Sequence, residues 1–150
     1  MDKKKQLLLG AFLVATSVMA GCVSVPMATP EQDASAKTFR VQPGKSNIYV
    51  YRNESMGGAV KMEVDLDGKQ VGTTAAKTYL LLTVNPGKHT LVSHAEGNSN
   101  LVVDTQPGKN HFVWQEVKMG ALFAGSKLQP VDEQTGKAGV GECQLIELNK

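Results

Sequence analysis

Turn-forming residues divide the chain beyond residue 39 into short runs that have the composition of β-strands. The clearest run is residues 60–67, VKMEVDLD, in which apolar and charged residues alternate, so that each kind lies on one side of an extended strand. The dipeptide Asp67-Gly68 follows it and favours a two-residue hairpin turn, after which residues 69–72 return as the second strand. Short strands separated in this way predict an all-β fold, an antiparallel β-sandwich of about seven or eight strands. The other predicted strands are residues 46–52, 77–84, 89–95, 100–105 and 110–118.

Helical periodicity is weak in the chain that follows the N-terminal leader. The best candidate is a short helix near residues 132–138, where Asp132 is a favoured N-cap residue. The sequence GKAGVG at residues 136–141 contains three glycines, and each of them disfavours a longer helix. We therefore expect a short helix at this position and strands through most of the remaining domain.

The tripeptide Pro-Gly-Lys occurs three times, beginning at Pro43, Pro86 and Pro107. A phosphate-binding loop needs backbone N–H groups that converge on the anion, and a helix that follows them. Here strand-like residues follow each tripeptide, and proline has no N–H group to donate. Proline also presets φ at the first central position of a type II turn, and glycine accepts the positive φ of the second. The three tripeptides therefore predict turns and not nucleotide-binding loops.

The N-terminus has the organisation of a secretory leader. A basic start, MDKKKQ, precedes an apolar run that is too short to span a bilayer and suits a signal peptide. Met19, Ala20, Gly21 and Cys22 then resemble the bacterial lipobox, although leucine is usual where Met19 stands. This resemblance implies a signal peptide over residues 1–21, cleavage between Gly21 and Cys22, diacylglycerol on the Cys22 thiol and an acyl chain such as palmitate on its amine. The alternative is an ordinary secretory signal that happens to end near a cysteine.

Localisation and domain boundaries follow from the same region. Val23 stands after the cysteine, where aspartate would indicate retention in the inner membrane of enteric bacteria. For a Gram-negative source we therefore expect an anchor in the outer membrane with the domain facing the periplasm. Residues 22–38 are rich in Pro, Ala, Ser and Thr and predict a lipidated N-terminus with a flexible tether. The sandwich domain is expected to cover residues 39–150.

The charge of the mature chain excludes one class of partner. The whole chain has 16 basic and 14 acidic residues, a formal net charge of +2. The leader contributes Lys3, Lys4, Lys5 and Asp2, which is 3 − 1 = +2, so the rest of the chain is close to neutral. A nucleic-acid binder usually carries a basic surface. We therefore expect no nucleic-acid partner.

The two cysteines predict no disulfide framework. If Cys22 carries lipid, Cys143 has no partner within the chain. Cys143 lies in the apolar-alternating stretch ECQLIEL, which favours a buried and unreactive thiol. Pairing between two chains is the alternative.

Four segments resemble a bacterial lipoprotein family known as "domain of unknown function 2846". The resemblance extends over about residues 40–118, and VDLDGKQVG and VNPGKHTL are also similar to the PEGA-type envelope modules. It implies a β-sandwich-like domain of the cell envelope and brings no catalytic motif with it. The four segments are PGKSNIYVYR (43–52), VDLDGKQVG (64–72), KTYLLLTVNPGKHTL (77–91) and PGKNHFVW (107–114).

Candidate catalytic and metal-binding residues are few. His89 and His94 are five residues apart on one predicted strand, so their side chains point to opposite faces and cannot share a metal ion. A metal site would need His111 together with one of them and a carboxylate such as Asp104 or Glu116, and ordinary histidines of turns and sheet surfaces are the simpler interpretation. Asp65 and Asp67 lie on one strand face, which suits acid–base chemistry or calcium, but a solvated hairpin edge explains them more simply. We therefore expect no metal site, no cofactor and no enzymatic activity.

The glycine-flanked apolar run GALFAG, residues 120–125, has two interpretations. It is either a core strand with the turn leading into it, or an exposed apolar loop that docks onto a partner or lipid. Together with nearby aromatic residues it forms the predicted binding surface. The residues of that surface are Tyr49, Tyr51, Tyr79, Trp114, Leu122 and Phe123.

Three functional hypotheses remain open from the sequence. The first is a non-enzymatic envelope lipoprotein that binds another envelope protein, as an accessory subunit. The second is a module that binds a small ligand or the cell wall, which a pocket with convergent polar groups would favour over a flat or convex apolar patch. The third is a hydrolase or thiol enzyme, which requires Cys143 or a pair of carboxylates in a cleft beside a histidine.

Overall fold

The computed structural model describes residues 25–56 and 58–150 of the chain, and within them two β-sheets are stacked face to face. Nine strands and two helices occur in this described part. The strands are β1 (Ser46–Arg52), β2 (Met62–Leu66), β3 (Lys69–Thr74), β4 (Thr78–Val84), β5 (Gly87–His94), β6 (Ser99–Thr105), β7 (Asn110–Met119), β8 (Ala124–Val131) and β9 (Gln144–Leu145), and the helices are α1 (Pro30–Ala36) and α2 (Glu133–Gly141).

The larger sheet has the strand order β8-β7-β1-β4-β9 and the smaller sheet the order β3-β2-β5-β6. The prediction of an all-β sandwich is confirmed. The larger sheet is mixed and not purely antiparallel, because β1 pairs with β7 and β4 with β9 in parallel. The chain between β1 and β7 builds the smaller sheet, and a connection of this length allows a parallel pairing.

Two strands were absent from the sequence prediction, and both lie at an edge of the larger sheet. The strand β8 contains Gly125 and Pro130, which are unfavourable in a central strand. It pairs only with β7 within this sheet, and an edge strand tolerates a proline that donates no hydrogen bond. The strand β9 has only two residues, too few for any periodicity to be visible in the sequence.

An aliphatic core fills the space between the two sheets. Alternate residues of the larger sheet, including Ile48, Val50 and Leu80, pack there against Val64 and Leu91 of the smaller sheet. All five side chains are fully buried. This core follows from the period-two pattern that the sequence predicts for half-buried strands.

A second core of aromatic residues lies on the opposite face of the larger sheet, under the two helices. It contains Tyr49, Tyr51, Tyr79 and Phe112, and the rings of Tyr49 and Phe112 are stacked with centroids 5.1 Å apart. The helix α2 begins after Asp132, whose carboxylate accepts a hydrogen bond of 2.9 Å from the Thr135 N–H. The short helix predicted near residues 132–138 is thereby confirmed.

The N-terminal segment corrects the predicted tether and the domain boundary. Val25 is buried in the aliphatic core, and Ala36 is buried in the aromatic core. The Ala28 N–H donates to the Leu145 carbonyl over 3.0 Å, and Met27 forms an isolated antiparallel bridge with Ile146, just beyond β9. Residues 25–38 therefore belong to the folded domain, because tertiary contacts order a composition that resembles a linker. The predicted signal peptide, its cleavage site at Gly21 and the lipidated Cys22 lie outside the described residues.

The Pro-Gly turns are confirmed at Gly44 and Gly108, whereas at the second position Pro86 forms a bend and Gly87, with a φ of 136°, already belongs to β5. The Lys45 N–H donates to the Gln42 carbonyl over 3.0 Å across the first turn, and Gly44 has the positive φ of 73° that a type II turn requires. The Gly108 N–H of the third turn donates to the Lys45 carbonyl over 2.8 Å. The Lys45 ammonium in turn donates to Asn85, the residue that precedes Pro86.

Candidate binding surfaces

The β7–β8 hairpin ends in an exposed apolar loop. We call residues 119–123 the hairpin tip; within it Met119 is 89 % exposed, Leu122 is 84 % exposed and Phe123 is 76 % exposed. These values are far above those of ordinary surface leucine or phenylalanine, which usually keep part of the side chain covered. Of the two interpretations of GALFAG, the exposed loop is therefore the one observed, and the core-strand interpretation is wrong for Leu122 and Phe123.

Glu96, on the β5–β6 connection, holds the backbone of the hairpin tip. Its carboxylate accepts hydrogen bonds from three consecutive N–H groups, those of Ala121 and Leu122 at 3.0 Å each and that of Phe123 at 2.5 Å. The N–H of Phe123 contributes most to holding the pKa of Glu96 below its ordinary value. Because the carboxylate satisfies these donors, the backbone stays ordered while the apolar side chains point away from it.

Gly120 is required for this arrangement. A Cβ atom at this position would overlap the carbonyl oxygen of Phe123 and the carboxylate of Glu96. Two lysines stand just behind the tip on the hairpin, Lys118 and Lys127, and both residues are exposed. The ammonium of Lys118 also lies 2.6 Å from the carboxylate of Glu116. The hairpin tip is therefore a rigid apolar projection with basic residues at its base.

The three tyrosines of the predicted binding surface are buried. The Tyr49 hydroxyl donates to the Ala36 carbonyl over 2.8 Å, and the Tyr79 hydroxyl donates to the Asp33 carboxylate over 2.9 Å. Burial raises the pKa of Tyr49 to about 12, and burial and then the Asp33 carboxylate raise that of Tyr79 as well. This part of the prediction is wrong, because α1 and α2 cover the sheet face on which these residues lie.

Trp114 is half-buried at the margin of the aromatic core, and its indole N–H is buried without a hydrogen-bond partner in the described residues. It does not join the hairpin tip. The residues of the predicted surface that remain exposed are therefore Leu122 and Phe123. Sequence reasoning missed Glu96, which no local pattern connects with a loop more than twenty residues later.

An open groove of about 770 Å³ lies on the other side of the domain. Leu81 and Thr83 of β4 form its floor, α1 forms one wall, and Leu145 and Leu148 of the C-terminal segment form the other. Two of the polar side chains that line it, Asn47 and Thr83, are bonded within the protein. The amide of Asn47 donates to the Arg40 carbonyl over 3.0 Å and accepts from the Thr83 hydroxyl over 3.0 Å.

The histidines and aspartates form separate pairs on the smaller sheet. His89 lies 2.7 Å from Asp67, and His94 lies 2.8 Å from Asp65. The hydrogen bond to the aspartate is the main cause that raises the pKa of each histidine above its ordinary value of 6.5. Each aspartate thus contacts a different histidine, and no group of three potential metal ligands occurs in residues 25–56 and 58–150.

Cys143 is buried at the end of α2, as the sequence predicts. Burial raises the pKa of its thiol to about 12, so the thiolate that a nucleophile requires does not form at neutral pH. In the same described ranges, neither helix combines the length and apolar character needed to cross a membrane.

The family model described as "Protein of unknown function (DUF2846)" matches residues 42–126, more than half of the chain. The chain belongs to this family. The DUF2846 match begins at the first Pro-Gly turn and ends in β8, so it includes the smaller sheet, the strands β1, β4 and β7 of the larger sheet and the hairpin tip, but neither helix nor β9. An "Uncharacterized protein" of Haemophilus influenzae is 33 % identical over 144 residues, which cover 94 % of this chain and 86 % of the relative.

Proposed function

We propose that this DUF2846 protein is a lipid-anchored envelope protein that acts by binding another envelope protein, as an accessory module, and not by catalysis. The anchor is the lipidated Cys22 that the lipobox resemblance implies, and the proposed location is the outer membrane, facing the periplasm. Neither a cofactor nor a nucleic acid takes part in this function. The burial of the Cys143 thiol supports the non-enzymatic part of the proposal, since it leaves that group protonated at neutral pH.

The groove is the observation that carries protein binding. It is open along its length, and its floor and one wall supply the apolar side chains of Leu81, Leu145 and Leu148. A short segment of a partner can lie in such a groove by burying apolar side chains there, as in other cases of peptide recognition. The polar groups of Asn47 and Tyr49 are bound to the protein itself, so they do not converge on a bound molecule.

The size of the groove favours a second candidate, the binding of a small ligand or a cell-wall fragment. Its volume of about 770 Å³ is within the range of small-molecule sites. A small ligand would have to displace the internal hydrogen bonds of Asn47 or bind without them, and this displacement costs affinity. A protein segment needs no such displacement and remains the first proposal.

Photo-crosslinking in cells tests the partner. A benzophenone amino acid replaces Ser35 or Leu148, which both line the groove, or Val102, which is 59 % exposed on β6 and serves as the matched control. We expect discrete protein adducts from the two groove positions and none from position 102. The same adducts at all three positions would contradict a specific protein site, and low-mass adducts at the groove positions alone would favour the small-ligand candidate.

The anchor has an independent test. The substitution Cys22→Ser removes the thiol that receives diacylglycerol, so incorporation of labelled fatty acid into the protein should be lost and the leader should remain uncleaved. Retention of labelled acyl chains on the variant would contradict the lipid anchor. The matched control is Cys143→Ser, which should leave labelling unchanged because this thiol is buried in the domain.

A further inference from the structure

Very little chain separates the proposed anchor from the folded domain. Val25 is buried in the aliphatic core, and two residues, Val23 and Ser24, stand between it and Cys22. Three residue steps span at most about 11 Å when fully extended. A lipidated Cys22 therefore keeps the domain against the membrane surface, whereas a tether through residue 38 would let it stand off.

Val25, the first described residue, and the hairpin tip lie toward opposite edges of the larger sheet. The segment that starts at Val25 forms a bridge just beyond β9, which is one edge, and the hairpin tip extends from β7 and β8, which form the other edge. Strands in a sheet are spaced by about 4.8 Å, and four to five such spacings lie between this segment and β7 or β8, so the two are about 19–24 Å apart across the sheet. Two contacts at this separation fix how the domain is rotated on the membrane, which a single lipid anchor does not.

The hairpin tip has the properties of a membrane-surface contact. Met119, Leu122 and Phe123 expose nearly their whole side chains, and burial of apolar surface in the boundary region of a bilayer is favourable. Backbone N–H groups that enter this region without partners would oppose insertion, but Glu96 already accepts the hydrogen bonds of three of them. The ordered backbone also reduces the conformational entropy that binding removes.

Charge at the base of the hairpin tip complements a membrane that contains anionic lipid. Lys118 and Lys127 are exposed on neighbouring strands just behind the apolar residues, and both lie beside Glu116, whose carboxylate is 2.6 Å from the Lys118 ammonium, so Lys127 is the cation that lipid phosphate would meet first. Long lysine side chains can keep their stems along apolar surface while the ammonium groups reach lipid phosphates. This order, apolar residues at the end and basic residues behind them, matches the layers of a bilayer from its acyl chains outward.

We propose that the hairpin tip inserts into the surface of the bilayer that holds the Cys22 anchor and orients the domain on it. The proposal rests on the lipid anchor of the proposed function, because a domain held this close meets the bilayer at a high effective concentration. The groove contains none of the residues of the hairpin tip. The hairpin tip and the groove then have separate roles, membrane contact and partner binding.

A spin label on the hairpin tip tests the insertion. The mature lipidated protein carrying Leu122→Cys is reconstituted in vesicles of phosphatidylethanolamine and phosphatidylglycerol, and the label's collisions with dissolved oxygen and with an aqueous nickel chelate are compared. We expect the label to lose most of its collisions with the nickel chelate and to gain collisions with oxygen. The matched control is Val102→Cys on the exposed face of β6, whose label should collide freely with the nickel chelate.

The labelling step separates a failure of the insertion from a failure of the anchor. The protein without an added cysteine should take up no label, since lipid blocks Cys22 and burial protects Cys143. Uptake of label at Cys22 would contradict the lipid anchor, on which this inference rests. If the anchor is intact and the label at position 122 meets the nickel chelate as often as the label at position 102, the insertion is overturned and a protein becomes the partner of the hairpin tip.

Discussion

The two faces of the five-stranded sheet are covered in different ways. On one face, aliphatic residues such as Ile48 and Leu80 pack against the second sheet. On the other face, aromatic residues such as Tyr51 and Phe112 lie under helices that present small residues to them, among them Gly136 and Gly139 of α2. Large side chains on the sheet are thus matched by small ones on the helices, and this is how a glycine-rich segment covers an aromatic face closely.

The polar groups buried on the two faces also differ. On the aliphatic side, the Gln115 amide joins the sheets by accepting from Thr74 over 2.6 Å and donating to Ser93 over 2.7 Å. On the aromatic side, tyrosine hydroxyls connect the sheet to the N-terminal segment. The comparison shows that one face is built mainly from contacts between the strands of two sheets, with Val25 and Ile146 at its margin, whereas the other is covered by the helices α1 and α2.

The largest expected effect is on the aliphatic face. Leu80→Ala removes a fully buried side chain and leaves a cavity, and we expect the free energy of unfolding to fall by about 2–5 kcal/mol. Urea denaturation followed by circular dichroism measures the change. Leu148→Ala is the control, since Leu148 is 45 % exposed and should change stability by less than about 0.5 kcal/mol. Equal effects of the two substitutions would contradict the position of the core.

The next largest loss of stability is expected where α2 packs closely against the aromatic core. In Gly136→Ala and Gly139→Ala the added Cβ would overlap the rings of Phe112 and Tyr51, and we expect overpacking to destabilise by about 1–3 kcal/mol. Alanine stabilises a helix by about 1 kcal/mol relative to glycine, so helix propensity alone predicts that these substitutions stabilise the protein. Gly141→Ala supplies the control, because no atom lies within 4 Å of its added Cβ. Thermal melts that show all three variants stabilised would rule out the close packing.

A smaller effect is expected where the sheet is bonded to the N-terminal segment. Tyr79→Phe removes the hydroxyl that donates to Asp33, and we expect a loss of about 1–2 kcal/mol. Tyr51→Phe is the matched control, since the Tyr51 hydroxyl makes no hydrogen bond to another described residue. Faster amide hydrogen exchange in α1 of the Tyr79 variant alone would locate the effect at that helix. Unchanged exchange would contradict a stabilising hydrogen bond between Tyr79 and the N-terminal segment.

The smallest effect concerns the outer surface of the second sheet and depends on pH. The pKa of His89 is raised in the folded protein by its bond to Asp67, so its contribution is fully present below the ordinary value of 6.5. It is lost as the pH rises through the raised value. We expect His89→Gln to lower the free energy of unfolding by less than about 1 kcal/mol below pH 6.5. Above the raised pKa of His89, the substitution should have little effect.

His111 gives the control for this pH dependence. Burial lowers the pKa of His111, so the folded state favours its neutral form and its contribution weakens as the pH falls. The stability difference between His111→Gln and the unmodified protein should therefore change with pH in the opposite direction. Urea midpoints measured across the same pH range compare the two variants, and parallel curves would contradict the assignment of His89 to an ion pair.

Much of the fold could be predicted because its signals are local. Alternation in residues 60–67 and the Asp67-Gly68 dipeptide predict a hairpin, and Asp67 and Gly68 indeed have positive φ values of 52° and 82°. Two of the Pro-Gly turns and the cap at Asp132 are likewise set by residues adjacent in the chain. Each of these features needs only a few neighbouring residues to be favourable.

The candidate site could be predicted only in part. The apolar composition of GALFAG predicted that Leu122 and Phe123 belong to a binding surface. The loop conformation that exposes them depends on Glu96, which lies on a different strand connection. The groove is formed by α1, β4 and the C-terminal segment, which are far apart in the sequence. Contacts between such distant segments leave no periodic signal in any one of them.

By itself the sequence determined the strands, the turns, the helix cap at Asp132 and the expectation of an envelope lipoprotein. Only the tertiary structure decided which apolar residues are covered, because Tyr49 and Phe123 look equally suited to a surface until α1 is placed over the first and nothing described is placed over the second. It also decided that Val25 belongs to the core, which shortens the reach from Cys22. Burial is a property of the surfaces that meet across the whole chain, whereas a turn or a strand is favoured by its own few residues.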